Sequence, residues 1–265
     1  MVADAREKFT HENSAPIIVF GGNGFVGSAI CEVAARQGLP CISISRRGAV
    51  PKHLQQKNEE WLERVQWLQG DAMCPDVSLL QSASAIINTV GSPPVPTLTQ
   101  AAFDHQLNMN GEAQTAVIEA AITAGVNRVV VMGADIPRCL QTEKFAYYLG
   151  KQQALAAAKQ FAESSELRQA AVLQPAAIYG TRFTAGGHPI PLSLIMSPAS
   201  RLLQAFPTSV QQYLPAAFVD VKKVALAAVS LATADHVVGG LGDDKPTGEN
   251  GFSVVSNHQL QCLAI

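Results

Sequence analysis

The sequence has no long basic run, no long apolar run and little excess of charge of either sign. Its 265 residues include 19 lysines and arginines against 21 acidic residues, and no basic run exceeds two residues. Surfaces that follow the phosphates of a nucleic acid need clustered Lys and Arg, so we expect no nucleic acid partner. No apolar stretch reaches the roughly 18 residues that a membrane-spanning helix needs, so we expect a soluble chain with no transmembrane segment.

The spacings typical of metal and nucleophile sites are also missing. The six histidines form no HExxH or comparable ligand pattern, and no G-x-S-x-G motif offers a serine nucleophile. The sequence therefore predicts no metal site. The five cysteines are odd in number, scattered and without a CxxC pair, which favours a reducing compartment. They are Cys31, Cys41, Cys74, Cys139 and Cys262.

Residues 1–15 form a polar N-terminal extension. The stretch carries acidic residues and lacks an apolar core, which is typical neither of a secretory signal nor of an Arg-rich, acid-poor transit peptide. A presequence removed before this numbering began would leave no trace. Composition therefore indicates a reducing compartment but not which one. The cytoplasm is one alternative.

Apolar, β-branched runs alternate with helical patterns along the first two thirds of the chain. This alternation predicts the α/β class, with a doubly wound, mainly parallel sheet of the Rossmann type. At 48% hydrophobic residues the chain can bury one large core. We expect a single domain over residues 16–265, with a small capping or substrate lobe from about Phe183 onward, where prolines interrupt the pattern. The predicted strands are residues 16–20, 41–45, 65–69, 85–90, 128–132 and 170–175.

Four helices are predicted between these strands, at residues 25–37, 53–64, 98–124 and 143–163. Beyond them, the apolar segment Ile190 to Phe206 has three alternative roles. Packing within the small lobe is the ordinary one, since apolar stripes usually face a core. The segment could instead line a hydrophobic substrate pocket, or meet a partner or membrane surface.

The stretch "IIVFGGNGFVGSAI" places four glycines where the first strand meets the first helix. The first amides of a helix have no partner within it and, with the helix dipole, form an anion site. Gly22, Gly24 and Gly27 fit the dinucleotide pattern G-x-G-x-x-G, in which the middle glycine lets a pyrophosphate approach the backbone. We expect a dinucleotide to contact the whole turn, although a turn that binds nothing would share its composition. The expected contacts are Gly21, Gly22, Asn23, Gly24, Phe25, Val26 and Gly27.

The end of the second strand favours NADP(H) over NAD(H). An NAD site usually has a carboxylate there for the ribose hydroxyl, but no Asp or Glu occurs between Glu32 and Glu59. Instead the strand runs into Ser45, Arg46 and Arg47, whose guanidinium groups could pair with the 2′-phosphate of NADP. The alternative is that the arginines merely solvate a loop, in which case NAD(H) is possible.

Two further strand ends carry candidate cofactor contacts. Asp71 and Ala72 follow the third strand, and Asp71 could accept a hydrogen bond from the adenine amino group. An ordinary turn role for this Asp is the alternative. "NTVG" ends the fourth strand at the sheet edge where ligands bind. We expect its backbone to pass close to the cofactor at Asn88, Thr89, Val90 and Gly91.

Tyr147 and Lys151 in "YYLGK" are four residues apart, which places them on one helix face about 6 Å from each other. An ammonium beside a phenol favours the phenolate, so we expect a lowered tyrosine pKa suited to general acid or base catalysis. The lysine could also bind the nicotinamide ribose. The alternative is a solvated helix face, because the Y-x-x-x-K spacing is common by chance.

Taken together, these motifs resemble the short-chain dehydrogenase/reductase superfamily, in its extended and atypical branches. The likeness rests on "GGNGFVG", "GDA", "NTVG", "NMNGEAQTAVIEAA", "YYLGK", "QPAAIYG" and "FVDVKKVALAAV", which occur in family order. Within the superfamily the chain is similar to the Rossmann-fold accessory subunit of mitochondrial complex I and to related organellar NAD(P)-binding proteins, some of them linked with quinone synthesis.

The resemblance implies that Tyr147 exchanges a proton with a carbonyl or hydroxyl as hydride moves to or from nicotinamide. It implies that Lys151 tunes the tyrosine, that Asn108 kinks a helix on the proton path, and that Pro175 borders the nicotinamide. Two departures weaken catalysis. The usual Ser or Thr after the fifth strand is absent from Met132 to Asp135, and the family's "RPG" is Gln174 to Ala176 here. Loss of a donor to a developing oxyanion costs on the order of 10²- to 10³-fold in rate.

The sequence therefore leaves three alternative functions. The first is an NADP(H)-dependent oxidoreductase acting on an apolar carbonyl or quinone-like molecule. The second is a non-catalytic accessory subunit or assembly factor, stabilised by nucleotide, in an organellar respiratory or quinone-biosynthesis complex. An NADPH-sensing regulator is a third reading. The resemblance implies the mitochondrial matrix or plastid stroma, and the substrate, activity and oligomeric state stay open.

Overall fold

The computed structural model describes residues 14–55, 57, 59–183, 189–191, 218–233 and 251–263. Seven parallel strands form the main sheet in the order β11-β6-β5-β4-β1-β2-β3. This order confirms the predicted doubly wound α/β fold, because the chain starts in the middle of the sheet and winds outward in both directions. These strands are β1 Ile17–Phe20, β2 Cys41–Ser45, β3 Val65–Gln69, β4 Ala85–Asn88, β5 Arg128–Met132, β6 Gln169–Gln174 and β11 Phe252–Ser256.

The central strands are apolar on both sides because helices cover both faces of the sheet. In β1 the side chains of Ile17 and Val19 join the core on one face, and those of Ile18 and Phe20 join the core on the other. All four are buried. A parallel sheet covered on both faces needs this continuous apolar run, which is why the strands are recognisable in the sequence.

The helices are α1 Phe25–Arg36, α2 Lys52–Gln55, α3 Val77–Leu80, α4 Gln100–Asn110, α5 Glu112–Ala124, α6 Ala146–Glu163, α7 Val221–Thr233 and α8 Asn257–Cys262. Short 3-10 helices lie at Glu60–Arg64 and Arg138–Leu140. Helices α1 and α7 pack on one face of the sheet, and α5 and α6 pack on the other. Four short strands, β7 Ile178–Tyr179, β8 Thr181–Phe183, β9 Pro189–Pro191 and β10 Val219–Asp220, form two small two-stranded sheets.

Two predicted helices were wrong in extent. Residues 53–64 form α2 and a 3-10 helix instead of one helix, since only Leu54 and Trp61 among the described residues of this stretch are deeply buried. The predicted helix at 98–124 divides at Gly111, between α4 and α5. A Cβ on Gly111 would lie 3.1 Å from the Cα of Gly150 in α6. The break therefore lets two helix backbones approach closely, a tertiary contact that no local pattern reveals.

Two C-terminal segments belong to the main fold, although the sequence placed them in the predicted small lobe. Strand β11 pairs with β6 along five residues, and α7 packs against α1. Most of that lobe, with residues 192–206 of the apolar segment Ile190 to Phe206, lies outside the described residues, as does most of the N-terminal extension. The lobe and the role of the apolar segment stay predictions.

Candidate active site

The glycine turn after β1 is a tight loop whose open side faces away from the core. Gly21 has a φ of +79°, and its carbonyl accepts a hydrogen bond of 2.8 Å from the Gly24 amide. Gly24 is the N-cap of α1, and the first turn of that helix carries no acidic side chain. The first amides of α1 therefore have neither a helical partner nor a nearby carboxylate, and they fit an anionic diphosphate.

The glycines of the turn have different surroundings. A Cβ on Gly22 would collide with Ser43, and one on Gly27 would lie 2.8 Å from the Cα of Gly22. By contrast, a Cβ on Gly24 would meet only the Gly21 carbonyl oxygen, at 3.1 Å. Gly22 and Gly27 thus allow close packing of the chain, whereas Gly24 is exposed and lines a cavity, a position that suits contact with a ligand.

Substitution of Gly24 by alanine tests that distinction. The backbone at Gly24, with φ of −82° and ψ of 179°, suits any residue, so we expect the thermal unfolding midpoint to stay close to wild type. The added methyl group would occupy the space needed by a diphosphate, and we expect dinucleotide affinity to fall about 10- to 100-fold. Calorimetric titration together with a thermal melt measures both quantities. Unchanged affinity would contradict this placement of the diphosphate.

The residues after β2 border a cavity beside the glycine turn. Ser45 is buried, and its carbonyl accepts hydrogen bonds from the amides of Gly48 and Gly70. Arg46 and Arg47 are exposed, and neither has an ion pair within the part of the chain that the structure describes. Arg47 lines a cavity of about 540 Å³ together with Asn23 and Gly24. A guanidinium without a partner is therefore available next to the predicted phosphate site.

At the end of β3 the carboxylate has a turn role. Asp71 Oδ1 accepts a hydrogen bond of 3.0 Å from the amide of Met73, and Asp71 itself is exposed while Ala72 is buried. This geometry matches the ordinary turn alternative. The adenine contact of Asp71 stays a prediction.

The end of β4 is fixed against the glycine turn. Thr89 Oγ1 donates a hydrogen bond of 2.8 Å to the carbonyl of Phe20, and Gly21 approaches Thr89 so closely that a Cβ on Gly21 would lie 2.8 Å from that oxygen. The buried Asn88 side chain accepts from the amide of Val90. Gly91 is exposed at the same sheet edge. The structure thus brings the "NTVG" segment beside the turn, and its contact with a cofactor stays a prediction.

Lys151 is a buried cation at the carboxyl end of β5. Its Nζ atom donates a hydrogen bond of 2.6 Å to the carbonyl of Met132 and lies 5.5 Å from the ring centroid of Tyr147. Only 6% of the residue is exposed. Burial lowers the pKa of Lys151 to about 8, because a charged ammonium is poorly solvated there. A lysine kept in such surroundings is typical of a functional site.

The expected lowering of the Tyr147 pKa was wrong. Burial raises that pKa to about 12, because the phenolate is disfavoured in a poorly solvated environment. The ammonium of Lys151 is bonded to the Met132 carbonyl and does not offset this burial. A phenol with such a pKa is protonated at neutral pH, so it is suited to donate a proton rather than to accept one.

No hydroxyl side chain follows β5. Met132 and Gly133 are buried, and a Cβ on Gly133 would lie 2.8 Å from a side-chain methyl of Val172. A serine would therefore not fit at position 133, whereas Ala134 already carries a half-buried Cβ. The buried Pro175 follows β6, and its carbonyl accepts from the amide of Asp135, which ties the ends of β5 and β6 together.

A row of amide side chains was missed by the sequence analysis. Gln106, Asn110 and Gln114 are buried and bond the loop after β4, Gln106 and Gln114 through its backbone and Asn110 through the side chain of Ser92. Gln106 donates to the carbonyls of Pro93 and Val95, and its oxygen accepts from the Tyr147 amide at 3.1 Å. Gln114 donates to the carbonyl of Val90. The regular spacing of these three amide residues, four positions apart, was the signal in the sequence that could have identified them.

Asn110, rather than Asn108, occupies the helix break. Asn110 donates to Ser92 Oγ at 2.9 Å, and its Oδ1 atom is buried with no hydrogen-bond partner among the described residues. A Cβ on Gly91 would contact this oxygen at 2.8 Å and Lys151 Nζ at 3.7 Å, so both groups surround Gly91. Asn108 is half-buried, two residues before the break. Its proposed part in a proton path stays a prediction.

Comparison with known proteins agrees with this geometry. Residues 17–203 match the model of the NAD dependent epimerase/dehydratase family. The chain belongs to this family. It is 31% identical over 196 residues to an uncharacterized chloroplastic protein of Arabidopsis thaliana, a match that covers 71% of this chain and 59% of that protein. Epimerase/dehydratase family membership confirms the predicted relationship to extended short-chain dehydrogenases, while the likeness to a complex I subunit stays a prediction.

A shorter match relates this family member to MIOREX complex component 2 of Saccharomyces cerevisiae, with 38% identity over 77 residues, or 28% of each chain. The chain therefore spans between about a quarter and three fifths of the length of these two curated relatives.

Solved structures of epimerase/dehydratase proteins share the fold. MoeE5 in complex with UDP-glucuronic acid and NAD has a TM-score of 0.61 at 23% identity, covering 91% of this chain and 75% of that one. UDP-N-acetylglucosamine 4-epimerase from Methanobrevibacter ruminantium has a TM-score of 0.63 at 17% identity, covering 92% and 77%. At these identities the likeness establishes the fold.

Other kinds of site find no support in the described residues. No group of three or more His, Cys, Asp or Glu side chains is placed to hold a metal ion there. Within the same ranges no helix combines the length and apolar character needed to span a membrane. All five cysteines are free thiols.

Proposed function

We propose that the protein is an NADP(H)-dependent oxidoreductase that reduces a carbonyl or quinone-like group on an apolar small molecule. The observation that carries this proposal is Lys151, a buried cation held on the Met132 carbonyl 5.5 Å from the Tyr147 ring. Both groups lie at the sheet edge that carries the glycine turn. A bound NADPH would supply the hydride, and the residues of the chain would supply the proton and the orientation.

Each residue has a role that follows from its surroundings. The amides at the start of α1 would bind the diphosphate, with Gly24 leaving room for it. Tyr147 would donate a proton to the substrate oxygen, since burial keeps the phenol protonated. Lys151 would stabilise the phenolate that remains, and it would bind the nicotinamide ribose. Gln106 would position Tyr147 through its backbone amide.

The preference for NADP(H) is supported by the charges after β2. The exposed Arg46 and Arg47 are the only charged residues of the loop that directly follows this strand, up to Lys52, and Arg47 lines the cavity next to Gly24. NAD(H) is the alternative, because the family is described as NAD dependent and MoeE5 was solved with NAD.

Substitution of Arg47 by aspartate tests the cofactor preference. A hydrogen bond to a charged group contributes about 1.5–3 kcal/mol, so we expect NADPH affinity to fall about 10- to 100-fold. NADH affinity should stay the same or rise, since the carboxylate can accept from the ribose hydroxyl. Calorimetric titration with both dinucleotides checks this. Arg64→Asp is the matched control, because Arg64 is exposed on the 3-10 helix and does not line the cavity. Equal losses for the two variants, or none for Arg47→Asp, would refute the phosphate contact.

A second candidate function is a non-catalytic component of an organellar assembly, stabilised by bound dinucleotide. The residues after β5 favour it, because Met132, Gly133 and Ala134 offer no hydroxyl to hold a substrate oxygen. The names of the relatives also favour it, since one is a complex component and the other is chloroplastic. A mitochondrial or plastid location for this chain is part of the same proposal.

A substrate panel separates the two functions. The enzyme proposal expects NADPH oxidation with at least one apolar aldehyde, ketone or quinone, at a rate that depends on Tyr147. The assembly proposal expects tight NADPH binding, no turnover with any member of the panel, and co-purification with partner subunits in a cofactor-dependent manner.

A further inference from the structure

The cavity beside the glycine turn extends well beyond the space next to Gly24. It has a volume of about 540 Å³, within the range of small-molecule sites. One wall is a stripe of α1 that includes Phe25, Ala29 and Glu32. At 1.5 Å per residue, this stripe runs about 10 Å along the helix, away from its N-terminus. The cavity therefore extends along the flank of α1, beyond the end where a diphosphate would bind.

The opposite wall is apolar and aromatic. Leu54 and Trp61 are buried, and Trp61 is only 3% exposed. The indole nitrogen of Trp61 donates to Glu59 Oε2 at 2.8 Å, so its polar atom is satisfied. His53 and Phe183 also line the cavity and stack with ring centroids 3.7 Å apart. These groups offer a surface for the apolar body of a ligand.

The rim of the cavity is cationic. Arg47, Lys52, Lys57 and Lys222 line it and are exposed. None of the four has an ion pair with any residue in the described ranges. The one acidic lining residue, Glu32, is paired with Arg36 at 2.9 Å. On a chain whose net charge is −2, this concentration of unpaired cations selects anions.

We propose that this cavity, defined here as the α1-flank site, binds an amphipathic anion whose phosphate or carboxylate group meets the lysine rim and whose apolar body packs against Leu54 and Trp61. The α1-flank site extends beyond the predicted cofactor contacts. It shares Asn23, Gly24, Phe25 and Arg47 with them, and its lining includes no residue from the ends of β3 or β4. Its occupation does not depend on the proposed oxidoreductase activity.

Titration of the full chain with decyl phosphate tests the α1-flank site. We expect saturable binding by calorimetry. Inorganic phosphate and decanol should each bind at least tenfold more weakly, because inorganic phosphate lacks the apolar body and decanol lacks the anionic group. The sequence has two tryptophans, so a Trp67→Phe variant leaves Trp61 as the sole indole reporter. Its fluorescence should change with the same saturation curve.

Variants locate the probe within the cavity. The pair Lys52→Gln and Lys57→Gln should weaken decyl phosphate binding about tenfold, whereas Lys159→Gln on the far helix α6 should not. Ala29→Leu fills the wall on α1 and should abolish binding while leaving dinucleotide affinity unchanged. Decyl phosphate should also bind in the presence of saturating NADPH.

Three results would overturn the proposal. One is displacement of decyl phosphate by NADPH but not by NADH, which would show that the cavity binds only the 2′-phosphate of the cofactor. Another is equal affinity for decanol and decyl phosphate. The third is an affinity for decyl phosphate that none of the cavity variants changes.

Discussion

Replacement of Gly27 by alanine is expected to lower the free energy of unfolding by about 3 kcal/mol, near the upper end of typical overpacking costs. The added Cβ would collide with the carbonyl oxygen of Gly21 and lie 2.7 Å from its carbonyl carbon. These atoms belong to the turn that joins β1 to α1, and the Gly21 carbonyl already accepts the Gly24 amide. The backbone can yield only if α1 moves away from the sheet, which would disturb the core around Ile30 and Ala34.

Urea denaturation of the wild type and of Gly27→Ala measures this effect as a shift of the midpoint at constant slope. Gly24→Ala is the matched control, since it adds the same methyl group to the same turn where the methyl would meet a single backbone atom, at 3.1 Å. The two variants should differ in the property that each one loses. Gly27→Ala loses stability, while Gly24→Ala loses dinucleotide affinity and keeps its stability. Equal midpoints for Gly27→Ala and wild type would show that the third glycine is not needed for packing.

Tyr147→Phe is expected to lower the turnover number by about 10²- to 10⁴-fold with any substrate that the protein reduces. The variant removes the proton donor but keeps the ring near Lys151, so NADPH affinity should change less than twofold. Steady-state kinetics and calorimetry measure the two quantities. Tyr148→Phe is the control, because the neighbouring tyrosine lies on the same turn of α6 and is also half-buried. Comparable losses for both variants would indicate a structural role for the pair.

The pH dependence follows from the half-buried phenol of Tyr147 and the buried ammonium of Lys151. Tyr147, with a pKa of about 12, stays protonated across the neutral range and can donate its proton. Lys151, with a pKa of about 8, is charged below that pH and loses its charge above it. Only the ammonium form stabilises the phenolate left after proton transfer. We therefore expect kcat/KM for reduction to fall as the pH rises above about 8. A rate that increases through this range would contradict the assigned role of Lys151.

Part of this site was predictable because its signals are local. The run from Ile17 to Gly27 joins a buried strand to a glycine turn, and each glycine has a steric reason that sequence alone suggests. The four-residue spacing of Tyr147 and Lys151 placed them correctly on one helix. The parallel order of the sheet followed from the alternation of strand and helix patterns.

Other features depend on contacts between distant parts of the chain. The break at Gly111 exists because α6 approaches there at Gly150, about forty residues later in the sequence. The pKa of Tyr147 depends on burial that spacing does not reveal, so proximity to a lysine gave the wrong direction. Strand β11 was missed because it is an isolated C-terminal segment with no regular alternation before it.

The most direct test of the account is a calorimetric titration of the purified chain with NADPH and with NADH. Diphosphate binding at the open side of the glycine turn predicts saturable binding of NADPH well below millimolar concentration. Arg47, which has no ion pair among the described residues, predicts weaker binding of NADH. If neither dinucleotide binds at millimolar concentration, the turn at Gly24 is not a cofactor site and the proposed chemistry at Tyr147 has no hydride source.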